Sequence, residues 1–318
     1  MNEAKRIAIN GIELSVVDEG AGFPVVLCHG FPELSYSWRH QIQPLVAAGY
    51  RVIVPDQRGY GRSDRPGEIT DYDIVHLRDD LLGLLDHIGA ERAVFVGHDW
   101  GSMVVWSMAL RHPERVAGVV GMSVPFVPRP PMPPIAAMRA AFGDTFFYMV
   151  YFQEPGVADV ELAQDTRETM TRFLAGMGSD DPGAAARMFA PYGEMGMVPR
   201  LPKPKGLPAC LTQAELDHYV EEFEHCGFFG PVSWYRNMDR NWELDADLAD
   251  RHVTVPSLFI TGGNDPVRMM VPESSMDGWL DDHRGSHIID GAGHWVQQEK
   301  ADAVNAALLS FLDSLALR

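Results

Sequence analysis

Cysteine is scarce in this sequence. Cys28, Cys210 and Cys226 are odd in number and scattered over 318 residues, so no disulfide framework is implied, and none has metal-ligand spacing. Long apolar runs are missing as well. No stretch approaches the ~18 residues that a membrane span requires, and residues 1–10 mix acidic and basic side chains without the apolar segment of a signal peptide. The expectation is a cytoplasmic protein with no membrane partner. Positive charge is in deficit: 26 Lys and Arg against 44 Asp and Glu leave a net charge of −18. That balance argues against nucleic acid and fits a neutral or cationic small molecule, or simply a solubilising surface. Internal repeats are also lacking. What is present, 46% hydrophobic and 22% charged residues, suits one large globular domain or one domain carrying an insertion.

The hydropathy pattern supplies the organisation. Residues 6–10 and 12–17 alternate apolar and polar like an antiparallel edge pair. The short runs 24–28, 51–55 and 116–122 suit strands buried on both faces. Helical spacing covers 36–47 and 72–88, the second closed by Gly89, and a further helix is expected at 101–112. Strands alternating with helices imply a mostly parallel α/β sheet with flanking helices. The rhythm breaks at the proline-rich stretch 124–134 and gives way to helical text as far as Trp242, interrupted by a basic, proline-rich loop at 198–208 with Arg200, Lys203 and Lys205. It resumes with strands at 255–261 and 286–289 and helices near 272–280 and 300–315. The expected division is an α/β core of 1–124 and 246–318, split by a helical cap of 125–245.

The stretch Val94-Phe95-Val96-Gly97-His98-Asp99-Trp100-Gly101-Ser102 reads as a strand, a sharp turn and a helix, with glycines two residues either side of Asp99. That is the spacing of a nucleophile elbow, in which only small neighbours avoid a clash. An aspartate here reads equally well, by itself, as a helix N-cap. Asp265, in a Gly-Gly-Asn-Asp-Pro loop, and His294, in a Gly-Ala-Gly-His-Trp loop, shift the balance, because both follow expected strands and complete the order nucleophile, acid, histidine. A carboxylate is already ionised at pH 7 and, on attacking a saturated carbon, leaves an ester that activated water can remove. The elbow therefore favours displacement at an sp³ carbon, followed by ester hydrolysis with His294, held by Asp265, as base. A serine esterase is excluded by the elbow residue, and Ser102 lacks small flanks. The backbone N–H groups of Trp100 and Phe31 are the expected oxyanion donors. His98 reads as structural, and Glu33 either orders water or caps the following helix. Tyr151, in Tyr-Phe-Gln-Glu-Pro-Gly, and Tyr235, in Ser-Trp-Tyr-Arg-Asn-Met, stand in distinctive settings, though either alone reads as a packed aromatic.

Val25-Val26-Leu27-Cys28-His29-Gly30-Phe31-Pro32-Glu33, Gly97-His98-Asp99-Trp100-Gly101, the two tyrosine motifs and Gly293-His294-Trp295 together resemble the soluble epoxide hydrolases. The resemblance runs from about Arg6 to the last helix. It implies an α/β-hydrolase fold with a helical cap, Asp99 as nucleophile, Asp265 and His294 as the water-activating pair, and Tyr151 and Tyr235 as donors to the epoxide oxygen. It also implies a hydrophobic epoxide and water as reactants, with no metal or organic cofactor. The phosphatase domain of mammalian members has no counterpart, so hydrolase activity alone is expected. The 198–208 loop matches no pattern and is expected to border the substrate entrance. Haloalkane dehalogenase is the rival reading, since it shares the aspartate elbow, but Phe31 stands where many dehalogenases place an asparagine donor. A hydrolase-fold binding protein without catalysis is the remaining alternative. Oligomeric state, monomer or homodimer, stays open.

Overall fold

The computed structural model describes residues 3–177, 181, 183–193, 195–315 and 317. Two compact units form: one from 1–57, 74–128 and 247–318, the other from 58–73 and 129–246.

The first unit is built on an eight-stranded sheet in the order β1-β2-β4-β3-β5-β6-β7-β8. The strands are β1 (Lys5–Ile9), β2 (Ile12–Gly20), β3 (Pro24–Cys28), β4 (Arg51–Pro55), β5 (Ala93–His98), β6 (Val116–Met122), β7 (Ser257–Gly262) and β8 (His283–Ile289). β1 and β2 join antiparallel, and every pair from β4 onward across the sheet is parallel. The continuous apolar runs behave as expected: β3, β5, β6 and β7 are buried at every position, because helices cover both faces. Those helices include α1 (Arg39–Ala47), α2 (Ile74–His87) and α3 (Trp100–Arg111). Val25, Leu27, Val52, Val94, Val96 and Ile260 pack against Ile42 and Leu45 of α1 in one core. Each such side chain contributes roughly 1.5–3 kcal/mol by leaving water.

The second unit is helical. It contains α4 (Pro134–Phe142), α5 (Tyr148–Tyr151), α6 (Ala158–Gln164), α7 (Thr166–Thr171), α8 (Ala184–Met188), α9 (Gln213–Cys226), α10 (Phe229–Arg236) and α11 (Met238–Leu244). The chain then returns to the sheet with α12 (Val267–Met270), α13 (Val296–Glu299) and α14 (Ala301–Ser314). Val304, Leu308 and Phe311 of α14 complete the core around α1.

Two features differ from the sequence expectation. No helix spans 272–280: a 3-10 turn covers Glu273–Met276 and the chain then bends at Gly278, with φ +78°. Pro272 and the left-handed glycine leave no room for a longer run. Residues 58–73 also group with the helical unit. Tyr60 lies edge-on to Trp234 with ring centroids 5.5 Å apart, the Trp234 indole donates to the Arg58 carbonyl, and Asn237 Nδ2 donates to the Ile69 carbonyl. Gly59, at φ +88°, and Gly230 meet backbone to backbone, so that a Cβ on Gly230 would lie 2.7 Å from Gly59 Cα. Among the described residues, no helix is long and apolar enough to cross a membrane.

That contact carries a prediction. Gly230→Ala should destabilise the helical unit by about 1–3 kcal/mol, read as an earlier urea transition of the intact chain. An unmoved transition would show that the 58–73 segment yields freely.

Candidate active site

Asp99 occupies the turn between β5 and α3 with φ +52° and ψ −118°. A non-glycine residue in that region is strained by roughly 1–3 kcal/mol. Its neighbours show why the sequence carries glycine there. A Cβ on Gly97 would lie 2.2 Å from the Gly101 carbonyl oxygen, one on Gly101 would lie 2.0 Å from that of Cys28, and one on Gly30 would lie 2.4 Å from Asp99 Cβ. The residue stands at the N-cap position, yet its side chain makes no capping bond. Instead Phe31 N–H donates to Oδ1 at 2.8 Å, and Trp100 N–H donates to the same carboxylate. The capping alternative is thereby removed, and the two expected oxyanion donors converge on one carboxylate.

The other oxygen faces histidine. His294 Nε2 lies 3.8 Å from Asp99 Oδ2, an ion-pair distance without a direct hydrogen bond. On its far side Nδ1 donates to Asp265, at 3.1 Å to Oδ1 and 3.2 Å to Oδ2. Asp265 Oδ1 also accepts Val267 N–H at 2.9 Å. The loops after β3, β5, β7 and β8 thus bring Phe31, Asp99, Trp100, Asp265 and His294 together at the carboxyl ends of the strands, where open α/β sheets form their sites.

Burial opposes the charge on His294, but the charge and hydrogen bond of Asp265, with Asp99 and Glu33 beyond, raise it from 6.5 to about 9. Burial raises Asp99 above its usual range, against the pull of His294, His98 and its two amide donors. Burial would raise Asp265 too, but His294 holds it below the ordinary carboxylate value. The resting site is an ion pair of Asp99 carboxylate and His294 imidazolium, buttressed by Asp265.

Comparisons with known proteins agree with this geometry. Residues 24–301 match the family model of the alpha/beta hydrolase fold. The chain is 55% identical to epoxide hydrolase A of Mycobacterium tuberculosis over 97% of each chain. The chain belongs to the epoxide hydrolase family. It is also 38% identical to the porcine bifunctional epoxide hydrolase 2, matching 96% of this chain and 54% of that protein. The crystal structure of epoxide hydrolase A from Mycobacterium thermoresistibile superposes with a TM-score of 0.95 at 53% identity, over 99% of each chain.

This member of the epoxide hydrolase family holds its histidine through a second buried pair. His98 Nδ1 lies 2.6 Å from Glu33 Oε2 and Nε2 lies 2.8 Å from the His294 carbonyl oxygen. Its two ring nitrogens thus face a carboxylate and a carbonyl oxygen. Glu33 is fully buried and accepts from Gln297, Gln298 and Gly30 as well. Burial would raise its carboxyl, yet the His98 charge and hydrogen bond bring it down to about 2. Glu33 is therefore the counter-charge of His98. Ser123, at the end of β6 with φ +64°, donates to the same His294 carbonyl at 3.0 Å. The sequence signal for Ser123 is slight: a lone hydroxyl where a buried strand ends.

In the helical unit the two tyrosine motifs form one knot. Gln153 Nε2 donates to the Tyr235 carbonyl, and Arg236 donates to the carbonyls of Phe152 and Glu154 and pairs with Asp159 at 2.6 Å. Tyr151 is engaged within this unit. Its hydroxyl donates to Glu161 Oε2 at 2.7 Å, and burial together with that carboxylate pushes its pKa well up. A phenol has one proton, and this one is committed. Tyr148, three residues earlier, is the tyrosine that packs on Tyr235, edge-on with ring centroids 5.9 Å apart. A Tyr-x-x-Tyr spacing in the sequence was the available signal. Arg200 of the basic loop is fully buried, donates to the carbonyls of Arg187, Ala190, Pro191 and Met195, and stacks on Phe146 at 4.0 Å. It ties the start of that loop to the preceding residues 187–195.

Glu33→Gln should lower stability by about 3–5 kcal/mol at neutral pH, since it breaks the buried pair with His98. The folded pKa of about 2 lies below the ordinary 4.5, so this contribution is complete above pH 4.5 and fades as pH falls toward 2. Urea melts at pH 7, 5 and 3 should show a constant gap between wild type and variant at pH 7 and 5, narrowing at pH 3. A gap of equal size at all three would contradict the ionised pair.

Proposed function

We propose that the protein opens epoxides to vicinal diols through a covalent ester on Asp99. One observation carries this reading: the two oxygens of Asp99 are differentiated, Oδ1 held by the Phe31 amide and Oδ2 turned toward His294.

The chemistry follows from that asymmetry. Oδ2 attacks an epoxide carbon and the carbon–oxygen bond breaks. The departing alkoxide takes a proton from a tyrosine, giving a hydroxyalkyl ester and a phenolate that regains its proton from solvent. We assign that donation to Tyr148 and Tyr235, the pair that packs ring to ring, with Tyr151 held by Glu161 as a support. The ester no longer carries the Asp99 charge that helped raise His294, so His294 loses its proton more readily and becomes the neutral base. It then removes a proton from water, and the resulting hydroxide attacks Cγ. Charge builds on Oδ1, where Phe31 N–H already donates at 2.8 Å, with Trp100 N–H bonded to the same carboxylate; one such donor is typically worth ~3–4 kcal/mol of barrier. Collapse of the tetrahedral species breaks the ester bond, and the imidazolium returns its proton to the departing diol oxygen. Epoxide and water are consumed and one diol is formed.

The acidic surface, with its net charge of −18, suits a neutral substrate, and the family relationship suits an epoxide. His294→Gln should stop the cycle at the ester, visible by mass spectrometry as an adduct of one substrate mass on the Asp99 peptide. In ¹⁸O-water the first turnover of wild type should place label in Asp99 before the diol. Label appearing directly in the first diol would defeat the covalent route, and turnover of bromoalkanes with epoxides untouched would make the protein a dehalogenase.

The tyrosine assignment is tested separately. Tyr148→Phe and Tyr235→Phe should each slow ester formation, by ~10²-fold or more together, while Tyr151→Phe changes it only a few-fold. Stopped-flow tryptophan fluorescence would read the alkylation rate, and a larger loss in Tyr151→Phe than in Tyr148→Phe would reverse the assignment.

A further inference from the structure

His294 sits in a chain segment with little stiffness of its own. Gly291, at φ +69°, and Gly293 precede it, and the helix that follows, α13, is a single turn. Trp295, the N-cap of α13, makes no side-chain cap. What fixes the segment comes from the other end of that turn. Glu299 folds back so that Oε2 accepts Gly293 N–H at 2.6 Å and Oε1 accepts Trp295 N–H at 2.9 Å. One carboxylate thus brackets His294, an oxygen on each flanking amide. The fit is close: a Cβ on Gly293 would lie 3.2 Å from Glu299 Oε1. The His294 carbonyl is taken from another direction by His98 Nε2 and Ser123 Oγ. The peptide groups on both sides of the histidine are therefore held independently of its side chain.

We infer that Glu299 is a positioning residue for the base, setting His294 for ester hydrolysis while leaving the formation of the ester to the elbow. This rests on the proposed reaction. Asp99 is carried by β5 and α3, and its amide donors come from Trp100 and the loop after β3; β5 meets this segment through His98 at the His294 carbonyl, away from the amides that Glu299 holds. Water activation does depend on them, because the imidazole must be aimed at a water beside Asp99 while Nδ1 stays on Asp265. A displacement of about 1 Å in such an arrangement can cost ~10²-fold in rate.

The charge requirement is specific. A glutamine has one acceptor oxygen and one donor amide, so it can serve only one of the two N–H groups and turns a donor toward the other. Glu299→Gln should leave alkylation within about 2-fold of wild type and slow ester hydrolysis roughly 10-fold; Glu299→Ala should slow hydrolysis further, toward ~10²-fold. The alkyl-enzyme would then accumulate during turnover, and kcat would fall with KM falling alongside it. A residue that only stabilises the fold would shift the melting temperature and leave these ratios unchanged.

A second readout does not need a substrate. The charged groups facing His294 are Asp265 from the loop after β7, Asp99 from the elbow, and His98 with Glu33 behind it. Lys300 lies beyond them, against Gly291. If Glu299 holds the ring between its two aspartates, loosening the clamp should move the His294 titration, followed by NMR of the ring protons in the free enzyme, down from about 9 toward the ordinary value. The experiment is therefore rapid-quench alkylation and hydrolysis of styrene oxide by wild type, Glu299→Gln and Glu299→Ala, with NMR titration of each. Slower hydrolysis with intact alkylation and a lowered titration supports the assignment. Equal slowing of both steps, or an unmoved titration with wild-type hydrolysis in a folded Glu299→Gln, overturns it. A wild-type enzyme that forms no ester would refute the reaction instead, and the titration would still decide what Glu299 does.

Discussion

A single backbone constraint governs the arrangement: β5 must turn into α3 within one residue, at a conformation that side chains avoid. The turn is stable only because three glycines let the strand, the helix and the loop after β3 touch without Cβ atoms between them. The same crowding that excludes larger residues brings the Phe31 amide against the Asp99 carboxylate. Strain at the nucleophile and the presence of donors at its oxygen are thus one fact about packing. The central place of β5 between β3 and β6 makes the support rigid, and rigidity gives such donors their value.

Around that turn buried carboxylates and imidazoles alternate. Asp265, His294, Asp99, His98 and Glu33 run in that order. Each imidazole is flanked by carboxylates, which is how a polar cluster persists where isolated charges would be neutralised. The order also links the ends: a change of charge at Asp99 is felt at His294 directly, and the His98 ring lies beside it with centroids 4.9 Å apart. Glu33, beyond His98, adds to the charges that raise His294. A residue that never meets substrate in this scheme therefore helps set when the base becomes a base.

The fold and most of the site were legible because they are written in local patterns. Buried parallel strands appear as unbroken apolar runs, and the elbow appears as two glycines around Asp99. Asp265 and His294 are marked by position after strands. What escaped was carried by contacts between distant residues. Glu33 and His98 are 65 positions apart, and nothing near either announces the other. Tyr148 and Tyr151 share one short helix, and only the carboxylate of Glu161 decides which of them turns away. A helix at 272–280 was plausible from apolar spacing, yet one left-handed glycine ended it. Glu299 went unmarked, since a side chain that folds back on backbone amides leaves no periodic trace.

The grouping of residues 58–73 with the helical unit has a practical consequence for recombining such proteins. The helical body is assembled from two pieces of chain separated by α2, β5, α3 and β6. It is therefore not a cassette. Exchanging 129–246 alone between relatives would pair a new Trp234 and Gly230 environment with the old Tyr60 and Gly59, which meet them ring to ring and backbone to backbone respectively. Chimeras of this architecture inherit compatibility from a sixteen-residue stretch, 58–73, that a linear alignment of the insertion would leave behind.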